Sequence, residues 1–151
     1  MTLQLLAALV LGLMCGSELN VAAFAHPMLN RQTLDAHIRM RASLARLFGR
    51  VMPFWMTGSA LLNLLLILPF ERLSAWRLAA IAFAIQAGAV LFSLAGPVPI
   101  NNRIVKWTPE SLPDDWRAQE NRWDSLHWIR TVGLIVGFAI LLLSVTCGSG
   151  I

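Results

Sequence analysis

Asp124, His127 and Arg130 stand at intervals of three in the stretch RWDSLHWIRT, residues 122–131, directly ahead of a long apolar run. On a helix, residues three and four apart are neighbours, so these three side chains lie close together. An imidazole titrates near neutral pH, a carboxylate can orient it, and a guanidinium can hold negative charge on a reacting oxygen. At about 100° per residue, Trp116, Glu120, Trp123, Asp124, His127 and Thr131 share one broad face, with Arg117, Asn121 and Trp128 toward a flank. That face carries two carboxylates, an imidazole and two indoles able to wall an aromatic ligand. A structural reading covers the same residues: an ion pair at headgroup level, a solvated Glu120 and an aromatic belt.

The solvent around this stretch decides what must position it. Of 151 residues, 57% are hydrophobic and 13% charged, against about 25% charged in an ordinary soluble domain. Four apolar runs, Leu3 to Ala25, Val51 to Phe70, Trp76 to Ala95 and Trp128 to Cys147, approach the roughly 20 residues that a bilayer-crossing helix needs. Lipid admits only closed barrels and helices that satisfy their own backbone. The expected architecture is therefore all-α: one integral membrane domain over residues 1–151, a bundle of four transmembrane helices, with no soluble domain. Ala23-Phe24-Ala25 resembles a signal cleavage site, but no Lys or Arg precedes the apolar core and Glu18 interrupts it, so the run is expected to stay as helix one. Cys15 and Cys147 both lie in apolar runs and read as packing residues rather than a disulfide or metal pair.

Arg31, Arg39, Arg41, Arg46 and Arg50 fall between helices one and two; Arg103, Lys106, Arg117 and Arg122 fall between helices three and four. Arg130 lies just inside helix four, leaving Arg72 and Arg77 opposite. The positive-inside bias places both long connections in the cytoplasm and both termini outside, in a bacterial-type plasma (inner) membrane. The sequence pI near 10.5 is assigned to anionic lipid headgroups rather than nucleic acid, because the basic residues hug helix ends.

The connections have structure of their own. Leu34, Ile38, Leu44, Ala45 and Phe48 recur at helical spacing, which predicts an interfacial amphipathic helix feeding helix two, with its arginines reaching headgroups and His37 at the surface or the membrane interface. In AGPVPINN, Pro97 and Pro99 end helix three and are expected to deliver Asn101 and Asn102 on irregular backbone. Thr108-Pro-Glu and Ser111-Leu-Pro-Asp114 look like helix starts, placing a start near Pro113. A helix from Asp114 to Cys147 has 34 residues and, at 1.5 Å each, spans about 51 Å, so its first half projects past the hydrocarbon. Its polar face should point inward, since a lipid-facing charge costs roughly 2.5–3.5 kcal/mol near the bilayer centre.

Within helix one, Glu18 needs a partner, with Arg130 or His127 as the expected counter-ion. His26 sits about 80° around the wheel from Glu18, so the two could flank one cavity. Asn63 and Gln86 read as hydrogen-bonding glue between helices two and three rather than as ligands. Gly12-x-x-x-Gly16 and Gly133-x-x-x-Gly137 would let helices one and four approach closely.

PVPINN after the third apolar helix, followed by RWDSLHWIRT opening the fourth, resembles the anthrone oxygenase-like family of small four-helix membrane proteins. The likeness covers nearly the whole chain, including Pro27 after helix one and the Arg-bearing stretch before Pro53. The resemblance carries over Pro99, Asn101, Asn102, Trp123, His127 and Arg130; Glu18 and His26 lie outside its motifs. It implies an oxygenase, of monooxygenase type, acting with dioxygen on a small anthrone-like aromatic molecule.

Such chemistry needs a base to form an electron-rich enolate, which can pass an electron to dioxygen without a cofactor. His127 is the expected base, Asp124 or Glu120 its orienting carboxylate, and Asn101, Asn102 and Arg130 the oxyanion contacts. Trp116 and Trp123, with Glu18 and His26, are the expected substrate-binding residues. A second reading makes Glu120, Asp124, His127 and Glu18 ligands to iron or copper, since Asp124-x-x-His127 has carboxylate-x-x-His spacing, although the chain has no second such motif. A third is a non-catalytic membrane protein that binds or transports a lipid or small hydrophobic metabolite.

Overall fold

Apolar residues here extend well beyond one bilayer-length run, and the helices follow them. In the computed structural model, which describes residues 2–68 and 76–148, every long apolar segment is helical and no strand occurs among the described residues. Helix α1 (Thr2–Asn20) passes through a π-helical turn, Val21–Ala25, into the short α2 (His26–Leu29). Then come α3 (Leu34–Ile67), α4 (Trp76–Ala95), α5 (Pro97–Ile104), a 3-10 turn at Pro109–Ser111, and α6 (Trp116–Gly148). Among the described residues four stretches are long and apolar enough to cross a membrane: Leu3–Leu29, Leu34–Ile67, Trp76–Ala95 and Trp116–Cys147. The all-α four-helix membrane bundle expected from the sequence is thus the observed fold. Pro69 and Phe70, the end of the second apolar run, and Arg72 lie outside the described residues.

Two apolar clusters hold the helices together. The first joins Leu11, Met14 and Cys15 of α1 to Met56 and Leu66 of α3, Ala82 and Ala89 of α4, and Leu134 and Leu141 of α6. Around it, Leu5, Leu9, Leu13, Leu61, Leu65, Leu91 and Ile129 are exposed, as suits helix faces that meet lipid tails rather than water. Within it, Asn63 donates to Gln86 Oε1 at 2.8 Å and Gln86 to Ser59 Oγ at 3.0 Å, tying α3 to α4 as expected. The second cluster, Ile38 and Ala45 of α3 with Ile100 and Ile104 of α5 and Trp107, sits beyond the apolar bundle, with Trp116, Trp123 and Leu126 of α6 packed on it. Of the four spaced glycines, Gly12 accommodates Phe138 of α6, whose ring would stand 2.9 Å from an added Cβ, whereas Gly137 faces Ile85 of α4; Gly16 and Gly133 have open space.

Three local expectations need correction. The amphipathic stretch is not a separate helix but the first half of a 34-residue α3 that runs through Pro53. Its inner face buries His37 and Arg41 beside Ile38, Ala42 and Ala45, because α5 and the projecting half of α6 cover it; His37 is therefore not at the surface. Asn101 and Asn102 stand on α5 rather than on irregular backbone. Pro97 does end α4, but at N1 of a new helix, where its missing N–H and fixed φ cost nothing. Helix α6 begins at Trp116, three residues past Pro113, and Pro109 opens only the 3-10 turn.

Candidate functional site

The polar residues converge where α1, the start of α3, α5 and the middle of α6 meet. The π-helical turn makes this possible. Glu18 and His26 are eight residues apart and would differ by about 80° on an unbroken α-helix; one extra residue in the π turn makes them behave like a spacing of seven, about 20° apart. Both therefore face α6. Pro27, in the first turn of α2, and the α2–α3 connection then bring His37 and Arg41 against the same helix.

Each of the chain's three histidines stands beside a different carboxylate. His26 Nδ1 is 3.0 Å from Asp124 Oδ1, His37 Nε2 is 2.8 Å from Glu120 Oε1, and His127 Nδ1 is 3.3 Å from Glu18 Oε2. Guanidinium groups bind the same acids. Arg130 Nη2 donates to Glu18 Oε2 at 2.6 Å and Nε at 3.2 Å, making it the expected counter-ion of Glu18. Arg41 Nη2 donates to Asp124 Oδ1 at 2.6 Å, and its Nε is 3.4 Å from Glu120 Oε1. Arg117 Nη1 adds a contact of 3.3 Å to the other Glu120 oxygen. Glu18, Glu120, His127 and Arg41 are each at most 3% exposed, so the ionic groups satisfy one another in place of water.

Hydrogen-bond directions fix what each imidazole can do. His127 Nε2–H donates to the Glu18 carbonyl at 3.1 Å, and its Nδ1 accepts from Arg130 Nη2 at 3.0 Å, so both ring nitrogens are engaged. His37 Nδ1–H donates to the Leu29 carbonyl at 2.9 Å while Nε2 meets Glu120. His26, by contrast, has Nδ1 3.0 Å from Asp124 Oδ1, and no hydrogen bond to its Nε2 is formed among the described residues. Trp123 lies parallel to His127 at 4.7 Å and edge-on to His26 at 5.1 Å, and Arg41 sits over its ring at 4.8 Å.

Two chambers open beside this network. An inner one of about 40 Å³ is walled by Glu18, His26, Arg41, Trp123, His127 and Arg130. An outer one of about 290 Å³ runs between α3 and α4. Arg130, Asn101, Trp123, Phe48 and Met52 line both. Among the described residues Arg130 Nη1 bonds only Ser93 Oγ, at 3.2 Å, which leaves it a further N–H. Asn101 Nδ2 donates to the Ala45 carbonyl at 3.1 Å and packs where Gly49 lacks a side chain; a Cβ there would stand 2.9 Å from that nitrogen.

Of the residues singled out in the sequence, Glu18, His26, Asn101, Trp123, His127 and Arg130 wall the inner chamber, and Asn102 joins the outer one. Asp124 and Glu120 stand behind, acting on His26, His37 and Arg41. Trp116 lines neither chamber; it packs on Trp107 and His37, with Arg117 stacked 3.9 Å above it. Arg41, His37 and Ser93 join the site without having been singled out. As metal ligands the acids fit poorly: no three His, Cys, Asp or Glu side chains among the described residues converge as a metal cluster requires, and Asp124 and His127 turn to different partners.

No curated protein and no solved structure matches this chain. One family model does, over residues 41–140, from Arg41 at the site through the projecting part of α6 and into its apolar half, leaving Glu18 and His26 on the unmatched helix one. The chain belongs to the family described as anthrone oxygenase.

Proposed function

We propose that this protein is an integral membrane oxygenase that uses dioxygen to convert a ring methylene of a small anthrone-like aromatic substrate into a carbonyl. The observation that carries the reading is His26: its Nδ1 stands 3.0 Å from the Asp124 carboxylate, and the residue walls a chamber beside Arg130. That is the arrangement of an oriented general base. It assigns to His26 the base role that sequence spacing alone suggested for His127, while His127 fixes Arg130 and stacks on Trp123.

His26 Nε2 takes one proton from the substrate methylene across one water in the inner chamber. The electron pair moves onto the carbonyl oxygen, whose charge faces the spare N–H groups of Arg130 and Asn101. The enolate gives one electron to dioxygen, and the resulting radical and superoxide join through a new carbon–oxygen bond. The proton on His26 passes to the outer peroxide oxygen. Loss of the second methylene proton, with O–O cleavage, then gives the new carbonyl and one water: one methylene and one dioxygen become one carbonyl and one water. A guanidinium already contacts each of the carboxylates of Glu18, Glu120 and Asp124, which makes them poor metal ligands.

In the same proposal the arginine-rich ends of α3, α5 and α6 face the cytoplasm of a bacterial-type inner membrane and meet anionic headgroups. The test is dioxygen uptake by the purified protein with an anthrone, corrected for spontaneous oxidation. One dioxygen should disappear per carbonyl formed. His26→Asn should lower the rate by roughly 10²–10⁴ while the helical circular dichroism is retained. Thermal stabilisation by the anthrone without uptake would sink the oxygenase reading in favour of a non-catalytic carrier. Stoichiometric iron or copper by elemental analysis would replace it with a metal-dependent oxidase.

A further inference from the structure

The two chambers differ in size, chemistry and outlook. The inner one, about 40 Å³, has room for a water or a diatomic gas but not for a ring. The outer one, about 290 Å³, approaches the size of a small-molecule site. Its walls are apolar: Met52 and Met56 from α3, Val90 and Leu94 from α4, and Pro97 from α5. Polar groups gather at the inner end, where Arg130, Ser93 and Asn101 stand, with Thr57 and Asn102 further out. Pro53, Thr57 and Leu94 at the outer rim are exposed. All three belong to stretches long and apolar enough to cross the bilayer, so the mouth opens sideways toward hydrocarbon.

We infer that the α3–α4 chamber seats the apolar extension of a substrate drawn laterally from the bilayer, so that the substrate is a lipid-dissolved aromatic carrying a hydrocarbon substituent. This rests on the oxygenase reading for the ring but stands on the chamber for the tail. The oxygen-bearing ring lies at the junction, against Trp123 and below Arg130, where both chambers meet. The tail runs outward between Met52 and Met56 on one side and Val90 and Leu94 on the other; flexible methionines adapt to such a chain.

The experiment compares two probes on the full chain in detergent: an anthrone and the same anthrone bearing an octyl chain. Thermal stabilisation reads binding, and dioxygen uptake is followed separately. Thr57→Trp and Leu94→Trp place an indole in the mouth, and Leu65→Trp places one on an exposed part of α3 outside both chambers. The rim variants should weaken the octyl probe about tenfold more than the parent, and Leu65→Trp should not distinguish the two. A diazirine at the tail end should label residues 52–57 and 90–94 of the unaltered protein, a readout that needs no variant to fold. Selective loss of octyl binding with no uptake by either probe would support the chamber assignment while sinking the oxygenase reading. Uptake with equal effects on both probes, or labelling confined to the lipid-facing side of α1, would overturn the chamber assignment and leave the oxygenase reading standing.

Discussion

At the residue scale the site is governed by Glu18 and Arg130, 1% and 8% exposed and 2.6 Å apart. Neither charge has water to fall back on, so removing one strands the other. Glu18→Gln is expected to destabilise the protein by about 3–5 kcal/mol, whereas Glu18→Gln combined with Arg130→Met should cost less than Glu18→Gln alone. Denaturant titration in detergent would read both, and a strictly additive double variant would refute the coupling. His127→Asn should slow turnover less than His26→Asn, because His127 has no lone pair free for a substrate proton; equal losses in parallel rate measurements would count against that division of roles. Much of this was legible in the sequence. The 3.6-residue period of α6 already put Glu120, His127 and Thr131 inward, and an acid in apolar helix one already required a counter-ion. Arg41 and His37 were hidden because their partners lie about 80 residues away. A charged residue on an amphipathic wheel reads as solvated until the helix that covers it is known. The signal was nonetheless present: His37, Ile38, Arg41, Ala42 and Ala45 recur as one buried face.

At the element scale, the π turn at Val21–Ala25 sets whether α1 and α2 can serve the site together. Nothing in VAAFA announces it, since these residues suit an α-helix equally well and the extra residue is favoured only by what lies on either side. Deleting Ala23 leaves Glu18 and His26 seven residues apart on an unbroken α-helix, about 20° apart as they already stand, whereas inserting an alanine after Ala23 should turn His26 about 100° relative to Glu18. The insertion variant can then keep the Glu18–Arg130 pair or the His26–Asp124 pair, but not both. Its activity should be lost with helical content unchanged, and an insertion variant with ordinary turnover would show the register at this turn to be dispensable. Helix α5 is held in a similar way, by the Asn101 bond to the Ala45 carbonyl across Gly49. Gly49→Ala crowds that amide and should loosen α5 by about 1 kcal/mol, the worth of one hydrogen bond. The measurement is faster hydrogen exchange over residues 97–104, and unchanged exchange there would argue that α5 is held by its apolar contacts alone. Sequence reasoning located the Pro97 break correctly but took two prolines to mean irregular chain, when proline at N1 is compatible with a new helix.

At the scale of the whole molecule, composition settled the class of fold early, because 13% charged residues in a chain of 151 leave too little polar surface for a soluble domain of this size. What composition could not give is where the site stands relative to the membrane. Helix α6, with 33 residues, is about 50 Å long, against a hydrocarbon core of about 30 Å. Its polar half must therefore rise beyond the apolar bundle alongside the polar half of α3, and the ionic network sits in that projecting part. The outer chamber is walled by the end of α4 and by α3 around Pro53, and the proposed substrate would reach it from the lipid tails. Arg39, Arg46, Arg50, Arg103, Lys106 and Arg117 cluster on the projecting side, which the proposed topology turns to the cytoplasm. Ser111 lies there in the exposed 3-10 turn. Ser111→Cys, in a background with Cys15→Ser and Cys147→Ser, should react with a membrane-impermeant maleimide only after the cells are opened. Labelling in intact cells would invert the molecule, placing the ionic network and its arginines outside. The anionic lipid of the cytoplasmic leaflet would then be out of reach of the residues assigned to it.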